Sequence, residues 1–434
     1  MAHGNSYRYR LHTPSYRLCR SNFTIRSIAM SQTHHDQNAT ILSRRRFLKG
    51  AATGSAVDVL SPWEMVEALV AGEAKDRTIR GVGVKPGVVA ISSNENPLGA
   101  SPRAIESVLR HMGSSNRYYR SQSLVGALAH YHGIDYKPAP RQPGRSRQAG
   151  PILMAAGSGQ TLESIAHTFL EKEGDEMVAA SPSYGSIERK WEDNKGVVRL
   201  VPLTPDYKHD LDAMLGAITP KTRVVSICNP NNPTGTIVTH DEIEALVDAA
   251  PKHVLIAVDE AYVEFVEDDG YKTAIDLAAT RENVIAIRTF SKIYGLAGVR
   301  VGYSVAHKDI HERMMNYHYT NGVGLYGMVA AEAALQDAEH PRRSKELAIE
   351  VKRYYEKECE GMGLEYVKSE GCFMLINLKR PAKSVGRQLA KQNIYVADAE
   401  RRWGLKGWTR VSVGTKEEAE AFMTALREIL SPAL

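Results

Sequence analysis

The sequence predicts an α/β chain: a large domain on a mostly parallel sheet covered by helices, with a smaller α+β domain beside it. Three observations predict it. The chain has 434 residues, enough for a full core and two domains. Between about 151 and 310, short runs rich in Val and Ile alternate with helical patterns, the mark of parallel strands buried on both faces. After 310 the composition changes, and a long amphipathic helix is followed by two strands and a closing helix.

Taken in order, residues 1 to about 40 are polar and basic without a stable period, and Met30 is a candidate start. The run Ser43-Arg44-Arg45-Arg46-Phe47-Leu48-Lys49 resembles the twin-arginine export motif of bacterial signal peptides. The stretch 50–60 that follows is short, weakly apolar and interrupted by Asp58, and no clean small-residue cleavage site comes after it. Two readings stay open: an export signal, which places a folded protein in the periplasm, or a basic tail before a surface helix in a cytoplasmic protein. The expected divisions are a leader over 1–79 (signal 43–60), a segment over 80–119 joining the small domain, a large domain over 120–315 and a small domain over 316–434.

The globular body begins near Val88. Ser92-Ser93-Asn94-Glu95-Asn96-Pro97-Leu98-Gly99 reads as a polar loop, and Ser101-Pro102 opens a helix with a serine cap and proline in the first turn. Residues 137–150, rich in Pro, Gly and Arg, read as an exposed loop. Strands are expected at 152–156, 176–180, 197–201, 223–228, 253–258 and 283–287, then a helix at 342–362, strands at 373–378 and 409–413, and a helix at 417–430. With 43% apolar and 24% charged residues this is an ordinary soluble composition, and a net charge of +5, concentrated before residue 50 and at 141–147, does not describe a nucleic-acid groove. No stretch reaches the apolar length of a membrane span. Four cysteines (Cys19, Cys228, Cys359, Cys372) show no metal-ligand spacing, so no metal is expected, and Cys228 reads as an inert buried thiol.

Unusual polar residues fall at the ends of these strands, where ligands of parallel sheets gather. Lys292, in Thr289-Phe290-Ser291-Lys292-Ile293-Tyr294-Gly295, follows a buried run, and a lysine held there can have its pKa lowered enough to attack a carbonyl and form a Schiff base. Ala156-Gly157-Ser158-Gly159-Gln160-Thr161 ends one strand and opens a helix; it is either a plain turn or an anion cradle of backbone N–H groups, to which Ser291 and Arg300 can add a hydroxyl and a guanidinium. Asp259, closing the run 253–258, needs a partner, and a protonated ring nitrogen would be one. Tyr262 and Asn232 can donate to an oxygen of the same ring, although Asn229-Pro230-Asn231-Asn232-Pro233-Thr234-Gly235 makes a tight turn in any protein. Tyr184 is either a stacking ring or core packing, and Arg410 either a carboxylate clamp or a surface salt-bridge residue.

Together, Asn94-Glu95-Asn96-Pro97, the Asn229 to Gly235 turn, Asp259-Glu260-Ala261-Tyr262 and the Ser291-Lys292 to Arg300 loop resemble the class I/II (fold-type I) pyridoxal-phosphate-dependent aminotransferases, and within them the histidinol-phosphate aminotransferase branch, over roughly 80–430. The resemblance implies a seven-stranded sheet, a pyridoxal 5'-phosphate cofactor and ping-pong transfer of an amino group from an amino acid to a 2-oxo acid. It makes Lys292 the Schiff-base lysine and proton carrier, sets Asp259 on the pyridine nitrogen and Asn232 and Tyr262 on the ring oxygen, and stacks Tyr184 on the ring. Ser158, Gly159, Gln160, Ser291 and Arg300 would hold the cofactor phosphate, Arg410 the substrate carboxylate, and Asn94 would lie close to substrate. Tyr118, in Asn116-Arg117-Tyr118, would reach the phosphate of a neighbouring subunit, implying a homodimer with shared sites.

The chain also departs from the branch. Ala397 stands where an arginine usually follows the strand before the carboxylate arginine, Leu98 where an aromatic is common, and Ser158-Gly159-Gln160 where an acidic pair often stands. These differences, with the leader, direct the expectation toward a free amino acid of undetermined side chain. Histidinol phosphate itself, oxidase or lyase chemistry on the same scaffold, and a non-enzymatic cofactor-binding protein are the alternatives. The last is disfavoured because no helix-turn-helix pattern precedes residue 80.

Overall fold

The computed structural model describes residues 79, 81–119, 122–137, 150–318 and 322–431. The twin-arginine-like run and nearly all of the leader lie outside the described residues. The first elements are strand β1 (Val89–Ala90) and helices α1 (Pro102–His111) and α2 (Gln122–Tyr131). Ser101 caps α1 by accepting the Ala104 N–H, and Pro102 occupies the first turn, where its missing N–H costs nothing.

The large domain then alternates strand and helix: β2 (Ile152–Ala155), α3 (Ser158–Phe169), β3 (Glu176–Ser181), α4 (Ser186–Asp193), β4 (Val197–Pro202), α5 (Leu211–Gly216), β5 (Thr222–Cys228), α6 (His240–Ala249), β6 (Leu255–Asp259), α7 (Ile275–Thr280), β7 (Val284–Thr289), β8 (Gly302–Ala306) and α8 (Lys308–Met314). Its seven strands lie in the order β2-β8-β7-β6-β5-β3-β4. Pairing is parallel from β4 to β7, and β8 runs antiparallel to both of its neighbours. Successive residues of one strand enter opposite cores. Val224, Leu255 and Ile285 pack with Leu162, Ile165, Phe169 and Trp191 on one face, while Val225, Ile256 and Val284 pack with Ile243, Leu246 and Val247 on the other. Each such side chain contributes roughly 1.5–3 kcal/mol when fully buried, which explains why the strands read as unbroken apolar runs.

The remainder comprises α9 (Leu325–Leu335), α10 (Glu339–Gly361), β9 (Glu365–Val367), β10 (Phe373–Asn377), α11 (Ala382–Lys391), β11 (Ile394–Tyr395), β12 (Ala397–Asp398), α12 (Ala399–Trp403), β13 (Trp408–Ser412) and α13 (Lys416–Leu430). A four-stranded antiparallel sheet runs β12-β13-β10-β9, and β1 pairs in parallel with β11. The small sheet region is therefore built from two distant stretches of chain. Helix α10 starts three residues before its expected start, because Pro341 sits in the first turn, where proline is tolerated. The strand expected at 253–258 is shifted to Leu255–Asp259, since Val254 N–H bonds back to the Pro251 carbonyl and closes a turn there.

Within the seven-stranded sheet, strand β8 is the one the apolar pattern passes over. Gly302, Tyr303 and Ser304 break the hydrophobic run, and Gly302 has a reason to be there: a Cβ would come within 2.7 Å of the Ser158 nitrogen. Gly295, at φ +66°, has another, because a Cβ would lie 1.8 Å from the Gly99 carbonyl oxygen. The loop after β7 is thereby seated against the loop that carries Asn94. Among the described residues, no helix is long and apolar enough to cross a membrane.

Candidate active site

The site lies at the carboxyl ends of β6 and β7, roofed by the small sheet. Strand β7 stops at Thr289, and the chain turns through Lys292, held by Gly295 N–H to the Lys292 carbonyl (3.0 Å) and Leu296 N–H to the Phe290 carbonyl (3.0 Å). The Lys292 amine donates to the Ser93 carbonyl at 3.2 Å and stands 5.7 Å from the centre of the Tyr262 ring. Burial holds its pKa below the ordinary lysine value, and the neighbouring Arg410 and Arg300 charges act in the same direction. An amine in that state spends more of its time unprotonated, as a nucleophile requires.

Asp259 closes β6, opposite Cys228 of β5. It is buried, and its Oδ1 has no hydrogen-bond partner. Burial pushes its pKa up to about 7; Glu260 adds to this, while the Ala261 N–H and Lys292 oppose it. A buried carboxylate with an unmet oxygen is costly unless a cation completes it. A protonated pyridine nitrogen supplies such a cation, so the implied pyridoxal 5'-phosphate fits this end of the site.

The ring-oxygen end is set by three side chains. Tyr262 Oη accepts Asn94 Nδ2 at 3.0 Å and Asn232 Nδ2 at 3.4 Å, which leaves its own proton to donate. Its ring stands edge-on to Phe373, with centroids 5.0 Å apart. Asn94 is held in left-handed backbone (φ 55°), with its N–H on Ser412 Oγ at 2.8 Å and its Oδ1 accepting that hydroxyl at 2.9 Å. Strain of this kind persists where the surroundings hold it in place.

The phosphate end is formed where β2 runs into α3. Gly157, at φ +79°, turns the chain so that Ser158, Gly159 and Gln160 form the first turn of the helix, with the Gln160 N–H reaching back to the Gly157 carbonyl at 3.2 Å; the leading N–H groups of a helix are a ready site for an anion. The Arg300 guanidinium lies against this turn: a Cβ on Gly157 would come within 2.2 Å of Nη2. Arg300 Nη1 also donates to Ser291 Oγ (3.4 Å) and to the Ala297 carbonyl (2.8 Å). The structure thus brings Ser158, Ser291 and Arg300 together around one cradle. The Gln160 side chain turns its Oε1 back to the Ala156 N–H at 2.6 Å.

Arg410, on β13, is 3% exposed, which excludes a surface salt-bridge residue. Nη1 donates to Asn232 Oδ1 at 2.6 Å and Nη2 to the Ser92 carbonyl at 2.7 Å, while Nε has no partner. Among the described residues no carboxylate pairs with it. A buried guanidinium met only by neutral oxygens is ready for an anion. Tyr184 follows β3 and is 40% exposed, and its phenol pKa is raised first by burial and then by Asp259, so it stands beside the ring-nitrogen end. Tyr118 is not brought to this site, being 92% exposed.

Sequence reasoning passed over Ser92, Ser412, Phe373 and Glu188. Ser412 had a signal, because Arg410 and Ser412 alternate on one face of a strand. Glu188, in the first turn of α4, is buried with Oε2 unpartnered, and burial first, then the Asp259 charge among smaller influences, pushes it up to about 7.

Asp259 makes the stability of the cofactor-free protein depend on pH. Below the unfolded value of 3.8 both states hold the proton. As pH rises, the unfolded chain releases it while the folded chain keeps it to about 7, so stability falls across that window and then levels off. The loss reaches up to about 4 kcal/mol, and Glu188 adds a loss of the same sign. Thermal unfolding of the cofactor-free protein against Asp259→Asn, from pH 4 to 8, measures it. The difference between the two should grow toward pH 7, and parallel curves would count against a buried acid at 259.

The model of the family "Aminotransferase class I and II" matches residues 86–426. The chain is 36% identical over 373 residues to the histidinol-phosphate aminotransferase of Moorella thermoacetica, covering 84% of this chain and 91% of that one. It is 35% identical over 362 residues to the enzyme of that name from Akkermansia muciniphila, covering 83% and 95%. The crystal structure of histidinol-phosphate aminotransferase from Sinorhizobium meliloti in complex with pyridoxal 5'-phosphate shares the fold, with a TM-score of 0.68 at 24% identity over 79% of this chain and 91% of that chain. With the lysine, the carboxylate and the phosphate cradle converging as described, the chain belongs to the class I and II aminotransferases, as a fold-type I enzyme dependent on pyridoxal 5'-phosphate.

Proposed function

We propose that this enzyme transfers the amino group of histidinol phosphate to a 2-oxo acid by a ping-pong mechanism. The observation that carries this reading is Arg410, a buried cation without a carboxylate partner and with Nε unmet, 2.6 Å from the Asn232 that also faces Tyr262. Such a clamp accepts the phosphate of the donor in one half-reaction and the carboxylate of the oxo acid in the other. The names of the two relatives favour histidinol phosphate over the free amino acid of undetermined side chain expected at first.

The bound cofactor supplies an aldehyde to receive the amino group and a ring that accepts electrons. Everything else falls to the chain. Lys292 anchors the cofactor through Nζ and, once released, moves the proton off the substrate Cα. Asp259 holds the proton on the ring nitrogen, and the Tyr262 hydroxyl donates to the ring oxygen. Ser158, Gly159, Gln160, Ser291 and Arg300 hold the phosphate, and Tyr184 covers the ring. Asn94 keeps Tyr262 oriented while bordering the substrate. In our reading the active form is a homodimer in which the exposed Tyr118 completes the phosphate site of the partner.

The test is a donor screen with cofactor-loaded protein and 2-oxoglutarate. Histidinol phosphate should show the highest kcat/KM; a free amino acid used at least about tenfold better would replace this reading with the broader one.

A further inference from the structure

One ring in the roof of the site carries two cations. Trp403, at the end of α12, has the Arg410 guanidinium carbon 5.2 Å from its ring centroid and that of Arg402 at 5.9 Å. Arg402 is exposed and, among the described residues, enters no ion pair or hydrogen bond with a side chain. Two guanidiniums gathered on one indole with no acid between them is an unfavourable arrangement for the protein alone, because like charges repel. Each gains only a modest amount from stacking on the ring. Ala397 lies directly opposite Arg410 across β12 and β13, and its methyl group leaves the flank of Arg410 to Trp403 and Arg402.

We propose that Arg402 is a specificity residue that supplies the second cation for a doubly charged head group on the amino donor, a phosphate monoester. This rests on the transaminase reading above and deepens it. A carboxylate has one charge and two oxygens, which Arg410 alone can meet. A phosphate monoester carries close to two charges at neutral pH and three acceptor oxygens, so it has an oxygen left for a second guanidinium. Arg402, exposed and over the same Trp403 ring that Arg410 faces, is the cation available to that oxygen.

The experiment uses cofactor-loaded enzyme, in which the cofactor's own phosphate cradle is filled. Histidinol phosphate and histidine share a side chain and differ in the head group, so they serve as the donor pair. Arg402→Ala should raise KM for histidinol phosphate about tenfold, with kcat within about twofold and KM for histidine unchanged, and Arg402→Lys should recover most of the loss. Inorganic phosphate, titrated by calorimetry into the same loaded proteins, should bind more weakly to Arg402→Ala by a similar factor. An equal change for both donors, or none, overturns the proposal and leaves Arg402 as a stacked surface residue, as does phosphate affinity that Arg402→Ala does not alter. If wild-type enzyme turns over no phosphorylated donor yet loses phosphate affinity in Arg402→Ala, the anion site stands and the donor assignment falls.

Discussion

Lys292→Ala should lower transamination by more than about 10⁴-fold and remove the near-visible absorbance band that the lysine-bound cofactor gives. The effect is expected to be large because, on the proposed reading, one amine performs two tasks, anchoring the cofactor and carrying the proton from the substrate Cα. The cations that act on it, Arg410 and Arg300, cannot replace it, because a guanidinium stays protonated at any working pH. Single-turnover absorbance with added donor measures the loss. Activity of the variant above about a hundredth of wild type would mean that another base moves the proton. Added methylamine, small enough to enter the vacated space, should restore part of the rate.

Asp259→Asn should lower kcat by about 10²–10³-fold while stabilising the cofactor-free protein at neutral pH. The opposite signs have one cause. Without cofactor the carboxylate is a buried acid with an unmet Oδ1, and removing its charge relieves the fold. With cofactor, on the proposed reading, the same charge would keep the ring nitrogen protonated, which an amide cannot do. Steady-state kinetics of the loaded variant and thermal unfolding of the unloaded one, both near pH 7.5, check the pair of effects. A variant that lost both activity and stability would point to a packing role instead. Such exchange of stability for activity is the expected mark of a functional site.

Much of this was legible in the sequence, and the physical reasons differ by element. The parallel strands could be read because burial on both faces demands continuous Val and Ile, as in Val284 to Ile287. Strand β8 could not, because its first residue must be a glycine to let the Ser158 turn approach. Lys292, Asp259 and Arg410 stood out as charged residues beside apolar runs, where a charge needs a reason. Ser92 and Phe373 did not, since neither is unusual in its own stretch of chain. Their contacts appear only when the loop after β1 and the strands β10 and β13 are brought together in space. Ala397 shows the limit from the other side: the residue type marked a departure from the related enzymes, but not what stands next to it.

The contacts around Asn94 and Arg410 join segments 318 residues apart, through Asn94 N–H to Ser412 Oγ and Arg410 Nη2 to the Ser92 carbonyl. Closing a flexible loop of that length in an unfolded chain costs about 5 kcal/mol of entropy. Ligand bound at this seam, and only to the folded state, adds about 2.7 kcal/mol of stability at a hundredfold excess over its Kd. On the proposed reading the head group of the substrate would therefore act as a clasp. While in place it would fasten the loop after the first described strand to the last one, and each release of product would loosen that fastening for the next molecule to enter.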